Sequence, residues 1–113
     1  MKDKITVLGQ EYKIILDTPE TNPKLADVHG YMEPYSKKIV IDRTTLDQHD
    51  VKSAENIEAR VRQTYRHEIV HAFFEESSLT YKFNYEDEEF LVNWIAAQFP
   101  KMKKIFEELE VSE

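Results

Sequence analysis

The segment YRHEIVHAFFEES, residues 65–77, carries two histidines four residues apart, with a glutamate directly after the first. On an α-helix, residues i and i+4 point the same way one turn apart, so His67 and His71 can close on one metal ion. Glu68 lies about 100° further round the helix, near the ion but angled away from it. This H-E-x-x-H spacing is typical of zinc hydrolases, in which two imidazoles bind zinc and the glutamate takes a proton from the metal-bound water.

A catalytic zinc usually has a third protein ligand, and the best source is NYEDEEFLVNWIAAQFP, residues 84–100. Glu89 and Asn93 are four apart and share a helix face, which predicts Glu89 as the ligand and Asn93 as a residue that hydrogen-bonds a ligand. Glu88 is the alternative ligand, although its side chain points about 100° away. The competing interpretation is that the acidic run is a solvated first turn at the positive end of the helix dipole.

Other polar residues are weaker candidates for the chemistry. His29 precedes a glycine in a loop and His49 lies in a polar connection, and either could bind a metal or donate a hydrogen bond. The tyrosines whose hydroxyl could stabilise an oxyanion are Tyr31, Tyr35, Tyr65, Tyr81 and Tyr85. Tyr65 suits that role least, because it belongs to an apolar stripe.

The histidines must be positioned by a helix that is apolar on both sides. From about Ser53 to Glu76 the apolar residues repeat with a 3.6-residue period, which predicts a helix between two layers. The predicted core stripe is Ile57, Val61, Tyr65, Ile69, Ala72 and Phe73. Asn84 is placed to cap a second helix, and Pro100 is expected to end that helix and to open a third.

The pattern of apolar and turn-forming residues in the first 45 positions predicts β-strands. KITVLGQEYKIIL predicts a hairpin that turns at Gly9-Gln10, and GYMEPYSKKIVID predicts another that turns between Glu33 and Lys37. We therefore expect an α+β fold in one domain, residues 1–113, with a small antiparallel sheet of about three or four strands followed by about three helices.

Composition narrows the classes of function. The net charge of −7 disfavours broad binding to nucleic acid or to anionic membranes. The chain has no cysteine, which excludes disulfides and thiolate ligands. With no apolar run long enough to span a bilayer and no secretory signal pattern, a cytoplasmic location is the default expectation. No heptad seam is evident, so the oligomeric state stays open.

Three segments together resemble a known group of proteins. GYMEPYSKKIVID, RHEIVHAFFEES and EEFLVNWIAAQFP are similar to the small zinc metallopeptidase-like domains of phages and Gram-positive bacteria, the ImmA/IrrE group within the gluzincins. The resemblance implies a minimal zincin with zinc bound by His67, His71 and a glutamate, and with Glu68 as general base. It also implies that an edge strand, with Lys38 to Asp42 as the candidate, holds a peptide by strand addition.

The resulting hypothesis is a zinc-dependent metallopeptidase that hydrolyses peptide bonds in a protein or peptide substrate, in the cytoplasm of the host bacterium if a phage encodes it. The alternative is a catalytically silent zinc-binding protein that uses the same groove to hold a partner. A third interpretation is a metal-free interaction domain in which the motif is accidental. The sequence does not identify the substrate.

Overall fold

The computed structural model describes residues 3–44 and 57–113, which form a four-stranded sheet followed by two α-helices. The expected α+β class is confirmed. The elements are β1 (Lys4–Val7), β2 (Gln10–Asp17), β3 (Gly30–Glu33), β4 (Lys38–Asp42), α1 (Ile57–Glu76) and α2 (Tyr85–Glu108), with 3-10 turns at Pro23–Leu25 and Leu79–Lys82. Within the described ranges, no helix combines the length and the apolar character needed to cross a membrane.

Both predicted hairpins are present. The register between β1 and β2 pairs Val7 with Gln10, which leaves Leu8 and Gly9 as a two-residue turn. Their φ angles of 48° and 88° are the two positive values that a type I′ turn requires. The turn therefore lies one residue earlier than the sequence predicted.

The sheet is mixed, so the expectation of a purely antiparallel sheet is wrong. Its order is β1-β2-β4-β3, with β2 and β4 parallel and the other pairs antiparallel. In β4, Ile39, Val40 and Ile41 are all buried, and a strand that is apolar on both faces is best covered in the interior of a sheet. The prediction that Lys38–Asp42 is an edge strand is therefore also wrong, and β3 occupies that edge.

Helix α1 packs on one face of the sheet to form the core. The buried cluster consists of Val7, Tyr12, Ile39, Ile41, Val61, Tyr65 and Ala72. Phe73 was expected in this stripe but is 43% exposed, whereas Phe74 is buried near the ring of Phe83 from the following connection. Residues 53–56 of the predicted helix, and the side chain of Ile57, lie outside the described part of the chain.

Helix α2 begins where the sequence predicted and continues further than expected. The Asn84 side chain accepts a hydrogen bond from the Asp87 main-chain N–H at 2.8 Å, which confirms the cap. Pro100 lies inside α2, so the predicted third helix is instead the second half of α2. A proline cannot donate to the carbonyl four residues earlier, which here is Ala96. The Arg66 side chain supplies the missing donor, with its Nε 2.8 Å from the Ala96 oxygen.

Candidate metal centre

The two motif histidines face one another across one turn of α1. His67 Nε2 and His71 Nε2 lie 3.2 Å apart, and the ring centroids are separated by 4.8 Å. Both side chains are largely buried between α1 and α2. The i,i+4 spacing thus brings two imidazole nitrogens to a single point, as the sequence predicted.

Glu89 of α2 completes a triangle of nitrogen and oxygen atoms. Its Oε1 lies 2.6 Å from His71 Nε2 and 3.4 Å from His67 Nε2. Tetrahedral zinc, with ligand bonds of about 2.0–2.1 Å, holds its ligand atoms about 3.3 Å apart. The separations between the two histidine nitrogens and between Glu89 and His67 match that edge length, and the contact between Glu89 and His71 is shorter, at hydrogen-bond length.

Glu88, the alternative ligand, contacts the other nitrogen of His71. Its Oε2 lies 2.8 Å from His71 Nδ1, which donates to the carboxylate. A carboxylate at Nδ1 fixes the tautomer that leaves the Nε2 lone pair free for a metal. The two neighbouring glutamates therefore contact opposite sides of one imidazole, with Glu89 on the side that faces His67.

The triangle needs positive charge at its centre. With its proton on Nδ1, neutral His71 directs a lone pair from Nε2 at the Glu89 carboxylate and at His67 Nε2. Acceptor atoms this close repel one another unless His71 carries a second proton or a cation lies between them. Two imidazoles and a carboxylate are the donor set that zinc accepts in hydrolytic sites, so these residues fit a zinc ion.

Glu68 lies beside the triangle in a buried position. It is 6% exposed, and its Oε2 is 3.8 Å from His67 Nε2. Together, ligand atoms of His67, Glu68 and His71 fall within 4.8 Å of one another. The pKa of Glu68 is raised to about 7, chiefly by burial; His71 opposes the increase and Glu89 adds to it. The Glu68 carboxyl thus lies at the site without lying inside the triangle.

The surroundings of His67 favour its neutral, metal-binding form. Burial lowers the pKa of His67, and the nearby Glu89 carboxylate partly opposes that effect. Asn93 also acts on His67, whose pKa it raises, and its side chain lines the same cleft. This position agrees with the predicted role of Asn93 beside a ligand.

The site opens into a cleft of about 660 Å³ between β3, α1 and the start of α2. Residues 28–32 form one wall, so the edge strand β3 borders the site. The Asp42 N–H donates to the His29 carbonyl, and main-chain bonding alternates along an antiparallel pair. By that alternation, Gly30 and Met32 direct their main-chain N–H and C=O groups away from β4, toward the open edge.

The remaining candidate tyrosines and histidines differ in where they lie relative to the cleft. Tyr31, Tyr85 and His29 line the cleft. Tyr35 and Tyr81 are highly exposed and are not part of that lining as far as the structure describes it, and Tyr65 is in the core, as expected. His49 lies outside the described residues.

Sequence reasoning missed Gly30 and Arg66. A Cβ added at Gly30 would lie 2.8 Å from the Val40 carbonyl oxygen and 3.2 Å from a Thr64 methyl group, so only glycine allows α1 and β4 to approach β3 this closely. The sequence feature that pointed to Gly30 was weak: a glycine directly before Tyr31 at the start of a strand. No sequence signal linked Arg66 to a carbonyl 30 residues away.

Comparison of the chain with protein-family models, with curated proteins and with solved structures finds no match in any of the three. The resemblance to the ImmA/IrrE group therefore remains an expectation from the motifs alone.

Proposed function

We propose that this chain is a zinc-dependent metallopeptidase of minimal, zincin-like architecture. The observation that carries the proposal is the convergence of His67 Nε2, His71 Nε2 and Glu89 Oε1 next to a buried glutamate, in a cleft open to a substrate. Three protein ligands beside an acid–base residue are typical of catalytic zinc, whereas structural zinc is usually closed by four.

In this proposal the zinc ion, Glu68 and Glu88 have separate roles. A bound zinc ion would supply a Lewis acid that polarises the scissile carbonyl and lowers the pKa of a water molecule. The Glu68 carboxylate would accept a proton from the attacking water molecule and pass it to the leaving amine nitrogen. Glu88 holds His71 in the tautomer and orientation that leave Nε2 available.

A peptide in extended conformation fits the open side of β3. The main-chain groups of Gly30 and Met32 that face away from β4 can pair with such a peptide, which would add one strand to the sheet. Strand addition at this edge would lay the peptide along the wall of the cleft that holds the triangle. The substrate class we propose is therefore an unstructured segment of a protein or a peptide.

The test combines metal content with hydrolysis. Protein purified without chelator should contain about one zinc per chain, His67→Ala should contain none, and Glu68→Gln should keep the metal. A library of quenched fluorescent peptides should be cleaved by the zinc-loaded wild type and left intact by Glu68→Gln. Absence of metal from the wild type, with none taken up on addition of zinc, would overturn the proposal.

The second candidate is a zinc-binding protein that holds a partner in the cleft without cutting it. Among the residues that the structure describes, β3 is an edge strand, and this position favours a binding protein as much as it favours a peptidase, because strand addition needs no hydrolysis. Zinc in the wild type, with equal peptide binding and no cleavage by wild type and Glu68→Gln, would support this candidate instead.

The cellular location belongs to the same proposal. From the resemblance to phage and bacterial domains we infer action in the cytoplasm, that of the host bacterium if a phage encodes the chain. Fractionation of expressing cells, with zinc content measured in each fraction, tests this point.

A further inference from the structure

Arg60 places a positive charge at one end of the cleft. It is exposed, and among the described residues that line the cleft it is the sole arginine or lysine. The other arginines of α1 are engaged elsewhere. Arg62 lies 3.8 Å from the Glu58 carboxylate, and Arg66 donates to the Ala96 carbonyl. Arg60 forms no such ion pair within the described ranges, so its guanidinium is available to a ligand in the cleft.

The opposite end of the cleft is acidic. Helix α2 runs antiparallel to α1, because Glu89 contacts His71, whereas Ala96, later in α2, contacts Arg66, earlier in α1. The first turn of α2, which is rich in carboxylates, therefore lies at the end of the cleft away from Arg60. The cleft thus has charges of opposite sign at its two ends, with the metal centre nearer the acidic end.

The edge strand β3 runs in the same direction as α1. His29, just before the strand, borders both the cleft and a neighbouring cavity of about 400 Å³, as Arg60 does. A Cβ added at the next residue, Gly30, would lie 3.2 Å from a methyl group of Thr64, one turn further along α1. A peptide that pairs antiparallel with β3 therefore extends its C-terminal side from the histidines toward Arg60.

Two considerations favour that direction for a bound peptide. Antiparallel pairs of strands are commoner than parallel ones, and they are slightly more stable per residue. The charges of the cleft act in the same sense, because they place a carboxylate on the C-terminal side of the peptide near Arg60 and an amino group near the acidic turn of α2.

The spacing along α1 sets the distance from Arg60 to the metal centre. Arg60 precedes His67 and His71 by seven and eleven residues, and all three lie within about 20° of one another around the helix. At about 1.5 Å per residue, the histidines are about 10–17 Å further along the helix axis. An extended peptide covers that distance in about three to five residues.

Two carboxyl groups share the neighbouring cavity with Arg60. Asp27 and Asp42 line that cavity, and neither is part of the cleft lining as far as the structure describes it. The Asp42 carboxylate accepts hydrogen bonds from Thr44, at 2.9 Å from its main-chain N–H and at 2.6 Å from its hydroxyl. These carboxylates weaken the attraction of Arg60 for a further anion without occupying the cleft, so we expect a moderate effect on specificity.

We propose that Arg60 is a specificity-determining residue, which binds a carboxylate about three to five residues after the scissile bond. The carboxylate belongs either to an aspartate or glutamate side chain or to the C-terminus of the peptide, because a guanidinium pairs with both in the same way. This inference rests on the proposed function, since it requires a peptide that lies along β3 and passes the metal centre.

The first test uses quenched fluorescent peptides of neutral sequence with an amidated C-terminus, in which glutamate or glutamine is placed at each position in turn. Mass spectrometry of the products identifies the scissile bond. For the zinc-loaded wild type, glutamate three to five residues after that bond should raise kcat/KM about fivefold over glutamine, as an exposed ion pair does. Arg60→Gln should lose this preference, and Arg60→Glu should prefer lysine at the same position.

Arg62→Gln is the matched control, because Arg62 lies on the same helix and outside the described lining of the cleft, so it should keep the wild-type preference. A second set of peptides ends three to five residues after the scissile bond, with either a free or an amidated C-terminus. A preference for the free acid that Arg60→Gln loses identifies the chain end as the source of the carboxylate. No preference in either set, a preference that survives in Arg60→Gln, or one for glutamate before the scissile bond overturns the proposal.

Zinc-loaded Glu68→Gln separates this inference from the peptidase proposal. Fluorescence anisotropy with labelled forms of the same peptides measures binding without cleavage. The preferred glutamate peptide should bind about fivefold more tightly than its glutamine counterpart, and Arg60→Gln in this background should remove the difference. Binding that depends on Arg60, without cleavage by the wild type, would disprove the peptidase activity alone. Cleavage that does not depend on Arg60 would disprove this inference alone, and absence of both binding and cleavage would disprove both.

Discussion

Arg66 Nε lies 2.8 Å from the main-chain oxygen of Ala96, the carbonyl that Pro100 leaves without its helical donor. A proline in the interior of a helix normally costs about 3 kcal/mol, in part through that lost hydrogen bond. Here the lost bond is replaced by one from the neighbouring helix. Ala96 lies two turns beyond Glu89, so the same contact fixes the distance between α2 and the histidines of α1.

Removal of the Arg66 donor should therefore affect both stability and zinc binding. We expect Arg66→Met to lower the free energy of unfolding of the metal-free protein by roughly 1–2 kcal/mol, the cost of a carbonyl left partly buried without a donor. In a Pro100→Ala background the loss should be smaller, because that substitution restores a main-chain N–H that can donate to the Ala96 carbonyl. Urea unfolding of the four proteins measures this coupling.

Zinc affinity distinguishes the two effects of Arg66. If Arg66 positions α2, Arg66→Met should weaken zinc binding in both backgrounds, although Pro100→Ala restores much of the stability. Competition with a chromophoric chelator measures the affinity. Equal zinc affinity for the Pro100→Ala protein with and without Arg66 would show that the arginine acts on stability alone.

Glu89 and Glu88 should differ in their effect on metal binding. Glu89→Ala removes an atom of the triangle and should reduce zinc affinity by more than about 100-fold, whereas Glu88→Ala removes only the partner of His71 Nδ1 and should cost about 10–100-fold. The d–d spectrum of the cobalt-substituted proteins shows whether a ligand has been lost. If Glu88→Ala lost more zinc affinity than Glu89→Ala, Glu88 would be the ligand and Glu89 the residue that acts through a ligand.

Gly30→Ala should disturb the wall of the cleft. Its Cβ would lie 2.8 Å from the Val40 oxygen, so β3 has to move, at a cost of about 1–3 kcal/mol in the free energy of unfolding. We also expect a higher KM for the cleaved peptide. Gly9→Ala is the control, because Gly9 has a positive φ but open space around it and lies outside the cleft lining, so its KM should stay unchanged.

The contact of Glu76 with Tyr12 and Lys37 should make stability depend on pH. The Glu76 carboxylate accepts from the Tyr12 hydroxyl and from Lys37 Nζ at 2.7 Å, which ties the end of α1 to the sheet. Lys37, and then Tyr12, lower the pKa of Glu76 below 4.5, and Glu76 raises the pKa of Lys37 above 10.5. The stabilisation should therefore be present between about pH 5 and 10.

Thermal unfolding of metal-free Glu76→Gln and wild type measures this dependence. The deficit in Tm of the variant should be full near pH 7 and should shrink as the pH falls through the lowered pKa of Glu76. Tyr12→Phe keeps the pair with Lys37, so it should retain part of that dependence, while it lowers the free energy of unfolding by about 1–3 kcal/mol. A deficit in the Tm of Glu76→Gln that stays constant from about pH 3 to pH 7 would show that the Glu76 carboxylate does not cause the pH dependence.

Local sequence features led to correct predictions where neighbouring residues decide the structure. The hairpin between the first two strands was predicted to within one residue of its turn at Leu8 and Gly9, and Asn84 caps α2 with its own side chain. The spacing of His67 and His71 places the two side chains on the same face of the helix, one turn apart. These features depend on the dihedral preferences of individual residues and on the helical period, and both can be inferred from the local sequence.

Contacts between distant segments decided the rest. The parallel pairing of β2 with β4 makes β3 the edge strand, and no local pattern contains that choice. Glu88 and Glu89 acquired different positions only when α2 packed against α1, and Pro100 fits inside a helix only because Arg66 of another helix bonds Ala96. The sequence by itself thus determined the residues that converge on the candidate metal centre, and tertiary packing determined which atom of each residue faces it.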